Sequence, residues 1–235
     1  MTNADDPVKF NVDSKGFYIV LYPLEDWNKW IKLFQDASKI TKLTSQDYSQ
    51  LLYDSSVLAG AGHLPITIPL ELTAVLKHKE DFSVWNTGSS IFSQFWPIFR
   101  TNETTGINAL MQNTFKAYVQ SLVSTVYNNY GLQSAEPGLF QEQRLRSEVS
   151  SFACAYGLDR CLLEAQVEYK KWRTQGSSIS ANIRATVLRY AIQESTDKSD
   201  WEYLWNVYTK TWQTSVKLDY LQALAQTSNK ELLTL

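Results

Sequence analysis

The sequence predicts a mainly α-helical chain: a solenoid-like superhelix of antiparallel helix pairs, preceded by a short N-terminal β-hairpin. Three observations lead there. Apolar residues recur at helical spacing from Leu24 onward. Gly and Pro number only 9 and 6 in 235 residues, too few for a turn-rich β fold. The first segment alone shows a period of two, with Val8, Phe10 and Val12 alternating with polar residues.

The elements follow in order. Val8–Val12 and the β-forming run Gly16–Tyr22 read as two strands joined by a turn at Asp13-Ser14-Lys15-Gly16. A lone hairpin is marginal in water, so these strands need a partner, either the helices or a sheet outside this chain. Residues 1–23 therefore form a short β segment at a domain junction, and 24–235 a helical domain. Trp27, Trp30, Ile31 and Phe34 lie at i, i+3, i+4 and i+7, one stripe of a first helix. Leu51, Leu52, Ser55 and Leu58 mark a second, and Pro65 and Pro69 a break and a new start. Phe82–Phe99 is a third apolar stretch, closed or kinked by Pro97. After the polar loop Asn102–Gly106, a long helix runs over Ile107–Tyr130 and ends near Gly131, with Pro137-Gly138 separating it from the next element.

The next pair is the clearest. Leu145, Val149, Phe152, Ala153 and Tyr156 share one face, and Gly157 stands at a C-terminal cap position. Asp159 is placed to cap the following helix, whose face is Leu162, Ala165, Tyr169 and Trp172. Shorter helices follow at Ile183–Ile192, Trp201–Tyr208 and Val216–Ala225. Asp26-Trp27, Asp81-Phe82 with Trp85, and Asp200-Trp201 with Trp205 repeat an acidic–aromatic pattern that fits repeated packing units. Leu221, Leu224, Leu232, Leu233 and Leu235 keep presenting apolar surface to the end. Repeat arrays need a polar cap, so this reads as truncation rather than as a frayed tail.

Composition narrows function. Net charge is −2 with basic residues spread along the chain, which excludes a clustered nucleic-acid surface. Val57–Leu76 is interrupted by His63, Pro65, Pro69 and Glu71, so no membrane-spanning segment is expected. Met1–Asp6 is acidic and lacks the apolar run of a signal peptide. A hydrolytic zinc site needs three ligands, commonly two histidines at i and i+4 around a glutamate. His63 and His78 are the only histidines and stand apart, as surface residues rather than ligands, so no metal or cofactor is expected in this chain. No nucleophile elbow, phosphate loop or dinucleotide fingerprint is present, and Glu25-Asp26 and Glu80-Asp81 read as surface decoration.

Cys154 and Cys161 fall at the end of one helix and the start of the next. The turn between them would bring the thiols within bridging distance, and a loop of this size would gain about 2.5 kcal/mol. Two free buried thiols are the alternative. Asn102-Glu103-Thr104 is a glycosylation sequon in a loop, a triplet that also arises by chance.

Taken together the motifs resemble the aminopeptidase N family of zinc metallopeptidases, which includes the endoplasmic-reticulum aminopeptidases. Asn11–Tyr22 looks like the entry to that family's C-terminal domain. Ala153-Cys154 with Cys161 and Lys171-Trp172 is similar to its disulfide-linked helical turn. Asn182–Val187 resembles its Asn-Leu-Arg-Ser-Thr-Val segment, and Asp200–Trp205 with Tyr208 its acidic-Trp signature. These matches keep their order from about Lys9 to Leu235. Ile19 departs from a common Arg, as does Tyr48 after Asp47, and Ala181 replaces a frequent Pro. The motifs that bind zinc and the peptide N-terminus are absent, as are helix pairs that follow in the family.

The resemblance implies HEAT-like helix pairs forming a bowl over a zinc-bearing catalytic domain that is not in this chain. Its partners would be that domain and peptide substrates. The first strands would complete a small β-sandwich or its junction. The chain itself would be inactive alone. As part of a larger protein it would lie outside the cell, on its surface or in the endoplasmic-reticulum lumen; expressed alone, it would lie in the cytoplasm. The competing reading is a stand-alone helical module that captures peptides or a protein without cleaving them.

Overall fold

The computed structural model describes residues 7–38, 43–132 and 139–234. The expected Pro137-Gly138 break and Leu235 lie outside the described residues, as does Met1–Asp6. Packing divides the chain into two compact units, Met1–Val126 and Tyr127–Leu235.

In the first unit, α1 (Leu24–Gln35) is followed by α2 (Ser45–Gly60). The short α3 (Thr67–Leu72) runs into a 3₁₀ turn at Thr73–His78, and α4 (Phe82–Phe99) and α5 (Gly106–Tyr130), as far as Val126, complete the series. The α1 stripe is buried as its spacing requires, with Trp27, Trp30, Ile31 and Phe34 inside. Tyr22 sets its ring edge-on to Trp27 at 5.1 Å and to Trp30 at 6.1 Å. Thr44 and Asp47 form a capping box at the start of α2, and the Asp81 carboxylate caps α4. Pro97 sits in the last turn of α4, which ends two residues later. Gly88 lets α4 close on the 3₁₀ turn: a Cβ there would stand 2.5 Å from Cδ1 of the fully buried Leu76.

The expected hairpin does not form, and no strand occurs among the described residues. Asn11, Asp13 and Ser14 adopt left-handed backbone (φ 54°, 56° and 56°), and Val12–Ser14 is a 3₁₀ turn that ends the alternation. The Asn11 carboxamide brackets Gly16, accepting from its N–H at 2.6 Å and donating to its carbonyl at 2.8 Å. Other backbone donors go to side chains on α2: Asp13 N–H to Asp47 at 2.9 Å and Val20 N–H to Asp54 at 3.1 Å. Helix carboxylates replace the ladder that β propensity alone suggested.

The second unit holds α6 (Phe140–Ala155), α7 (Asp159–Gln175), α8 (Ala181–Glu194), α9 (Lys198–Lys210) and α10 (Thr214–Leu224), with a 3₁₀ turn at Lys230–Thr234. Helix α8 packs against α6, α7 and α10, and α9 against α10. Gly157 ends α6 in a left-handed conformation (φ 77°), with Leu158 N–H reaching back to the Ala153 carbonyl at 2.9 Å. Leu158, not Asp159, occupies the cap of α7; Asp159 is its first helical residue, where its charge favours the helix N-terminus. At the chain's end Leu224 and Leu232 are buried, while Leu221 and Leu233 are exposed. The Trp201 indole N–H donates to the Leu224 carbonyl at 3.0 Å and holds that end of α10.

Candidate functional site

His63 is exposed in the turn after α2, and His78 is exposed at the end of the 3₁₀ turn. Among the described residues no group of three His, Cys, Asp or Glu side chains could hold a metal ion. Likewise no helix among them is long and apolar enough to cross a membrane. Cys154 and Cys161 are joined by a disulfide across the α6–α7 turn, with their Cα atoms 5.2 Å apart. Asn102 is exposed in the loop between α4 and α5.

The first unit builds a polar site between residues 9–22 and α2. Asp47, Gln50 and Asp54 lie at i, i+3 and i+7, and all three are buried. Lys9 reaches into this stripe: its ammonium is 2.8 Å from Gln50 Oε1 and 3.5 Å from Asp47 Oδ1, with the two charged side chains only 7% and 4% exposed. Burial lowers the Lys9 pKa, against the attraction of Asp47, Asp54 and Asp13. Burial also pushes Asp47 upward, but hydrogen bonds from Asp13 N–H and Thr44, with Lys9 nearby, outweigh it and leave Asp47 below its ordinary value. For Asp54 burial wins, and its pKa is raised despite Val20 N–H and Lys9. Tyr48, beneath this stripe, is pushed up to about 12 by burial and the Asp47 charge. The arrangement pins one segment to a helix.

Beside it runs an open groove of ≈630 Å³, bordered by Tyr18 and Ile19, by Ser49 and Tyr53 of α2, and by Ser83 and Thr87 of α4. Among the described residues no lysine, arginine or histidine lines it, and the one carboxylate that does, Asp54, is engaged with Val20. Such a groove suits an uncharged, partly apolar segment.

Two polar hubs organise the second unit. Glu164 accepts from the Tyr127 hydroxyl at 2.7 Å, Leu132 N–H at 3.1 Å and Arg160 Nε at 2.8 Å. Burial opposes its ionisation, yet those donors prevail and its pKa is lowered. Burial and the same carboxylate raise the Tyr127 phenol. The second hub is Asp200 in α9, which pairs with Arg173 of α7 and accepts from the Ser195 hydroxyl at 2.6 Å. Arg173 also donates to Ser199 at 2.9 Å, and the Tyr169 hydroxyl to the Asp200 carbonyl at 2.6 Å. A ≈430 Å³ hollow borders this pair, with Lys170 and Glu194 on its rim.

Sequence reasoning missed Lys9, Asp47, Asp54, Glu164 and Arg173. A signal existed for some of them: Asp47, Gln50 and Asp54 share a face of α2, and Arg160 and Glu164 are an i, i+4 pair.

The sequence profile of the ERAP1-like C-terminal domain matches residues 7–234. The chain is 30% identical over 231 residues to glutamyl aminopeptidase of Mus musculus, covering 98% of this chain and 23% of that protein. It is 25% identical over 226 residues to endoplasmic reticulum aminopeptidase 1 of Homo sapiens, covering 96% of this chain and 23% of that protein. It is 26% identical over 231 residues to the thyrotropin-releasing hormone-degrading ectoenzyme of Rattus norvegicus, covering 95% and 21%. The chain thus spans less than a quarter of the length of these curated relatives.

Proposed function

The chain belongs to the family of ERAP1-like C-terminal domains, and from that premise we propose that it is the non-catalytic C-terminal domain of an aminopeptidase. In this reading it encloses the peptide chamber of a zinc-bearing catalytic domain outside these residues and supports proteolysis there. The observation that carries the reading is the family match over residues 7–234, beside an alignment of 226 residues that covers 23% of the human relative. Residues 1–23 serve as the junction and 24–235 as the helical C-terminal-type domain. The stretch Phe17–Leu21 supports this assignment: Phe17, Tyr18, Ile19 and Leu21 are exposed, and the Val20 N–H is tied to α2. The packing of α8 with α6, α7 and α10 supports a solenoid-like array of HEAT-like antiparallel pairs within the second unit. The disulfide favours an oxidising setting, the endoplasmic-reticulum lumen or the cell exterior, over the cytoplasm.

The test compares a complete aminopeptidase carrying these residues with a form lacking residues 24–235. Hydrolysis of peptides is expected to fall sharply without them. The isolated chain is expected to bind no stoichiometric zinc and to leave aminoacyl reporters uncut. Stoichiometric zinc by elemental analysis, together with chelator-sensitive hydrolysis by the chain alone, overturns the reading. The partly apolar groove beside Tyr18 and Tyr53 favours a second reading, in which the chain captures extended peptides without cleaving them.

A further inference from the structure

The loop between α4 and α5 carries Asn102-Glu103-Thr104, and apolar side chains left in solvent flank it on both sides. Ile98, in the last turn of α4, is 64% exposed. Ile107, Leu110 and Met111, in the first turns of α5, are 68%, 60% and 44% exposed. Their i, i+3, i+4 spacing places them on one stripe. The core is served by a different face of the same helix, where Ala109, Phe115 and Val119 are buried and Phe115 stacks on Phe99 at 4.4 Å. Single exposed apolar residues are ordinary, but a contiguous stripe marks a surface that something covers.

We propose that Asn102 carries an N-linked glycan and that this glycan screens the Ile98–Ile107–Leu110–Met111 face against self-association. The sequon supplies the occupant, because a sugar attached at Asn102 is tethered in the loop between Ile98 and the exposed α5 stripe. Asn102 and Thr104 are exposed, and neither side chain has a hydrogen-bond partner among the described residues. The loop is held by other groups instead. Thr101 N–H donates to Gln112 Oε1 at 2.8 Å, and Asn108 Nδ2 donates to Glu103 Oε1 at 3.0 Å. The modified atom is therefore free while its surroundings are fixed. The Cys154–Cys161 disulfide is the independent sign of the oxidising compartment in which such glycans are attached.

The donor is a lipid diphosphate-linked oligosaccharide, used by the host's transferase. The Asn102 carboxamide nitrogen bonds to the anomeric carbon of the donor's first N-acetylglucosamine. The bond from that carbon to the diphosphate oxygen breaks, the lipid diphosphate leaves with the electron pair, and the nitrogen loses one proton. Carbon–hydrogen faces of the attached sugars can then lie against the apolar stripe while their hydroxyls face water.

The experiment uses the complete polypeptide that carries these residues, secreted from animal cells. Peptide N-glycosidase treatment should lower the mass by one glycan and convert Asn102 to Asp in a peptide map. Sedimentation of the enzymatically treated, already folded protein should show an about twofold rise in weight-average mass at high concentration, as for a dimer. Asn102→Gln and Thr104→Ala should each lose the glycan and self-associate alike. Adding Leu110→Ser and Met111→Ser to Asn102→Gln should restore the monomer. An unmodified Asn102, or a treated protein that sediments as before, overturns the proposal. Occupancy is read from mass alone, so this outcome is independent of whether the chain serves an aminopeptidase.

Discussion

The Tyr127 hydroxyl donates to the Glu164 carboxylate at 2.7 Å, tying the last turn of α5 to α7. The same carboxylate accepts from Leu132 N–H, so one side chain satisfies both a phenol and a backbone donor just past the end of a helix. Glu164→Leu leaves both donors unsatisfied and should cost about 2–3 kcal/mol, while Tyr127→Phe removes one bond and should cost about 1 kcal/mol. Urea unfolding of the two variants measures the difference. A smaller loss for Glu164→Leu than for Tyr127→Phe refutes the assignment.

Glu164 also predicts a pH dependence. Its folded pKa lies below the ordinary 4.5, so its contribution is fully present above that value and is lost as pH falls through the folded pKa. Wild-type stability should therefore decline in acid more steeply than that of Glu164→Gln. Parallel unfolding curves from pH 7 to pH 3 check this.

The Cys154–Cys161 bridge closes a short loop, for which the chain-entropy relation gives about 2.5 kcal/mol. Replacing both cysteines by Ala should lower stability by that order. The fold should survive, because Gly157 and the Leu158-to-Ala153 hydrogen bond already make the turn. Non-reducing peptide maps of secreted protein should show the pair linked.

Lys9 fastens residues 9–22 to α2. Lys9→Met keeps the aliphatic stem, removes the charge and leaves Asp47 and Gln50 short of a donor, a loss of about 1–3 kcal/mol. Because Lys15 is largely exposed, trypsin cleavage after Lys15 reports how often the segment lifts. The variant should be cut faster there, with helix content unchanged.

Gly88→Ala should destabilise the first unit by about 1–2 kcal/mol. Steric overlap with Leu76 outweighs the gain in helix propensity. A rise in melting temperature would show that Leu76 repacks freely.

Much of this architecture was legible in advance, because helical period is a local signal. Trp27, Trp30 and Phe34 announce the buried stripe of α1, and Phe82–Phe99 coincides with α4. Gly157 marks the end of α6 by a conformational need that stands in the chain itself. The N-terminal segment misled because Phe17–Tyr22 has β propensity, while its backbone partners are the Asp47 and Asp54 side chains, 34 positions away from the donors. The polar hubs were hidden for the same reason. Arg173 and Asp200 are 27 positions apart, and Tyr127 and Glu164 are 37 apart, so only the folded chain reveals them as pairs.

Asp47 belongs to two structures at once. Its carboxylate completes the capping box with Thr44 and also receives Asp13 N–H and the Lys9 charge. Capping of α2 and attachment of the N-terminal segment are therefore not separate events. Whenever the segment lifts, the carboxylate that caps α2 loses its Asp13 N–H and Lys9 partners, and whenever that turn frays, the segment loses its anchor. The two should open as one cooperative unit, exchanging amide hydrogens at a common rate although they are more than thirty residues apart in the chain. A strain applied at residue 9 would thus be felt as unwinding at residue 45, which makes this carboxylate a mechanical coupling between whatever precedes the helical domain and the helices themselves.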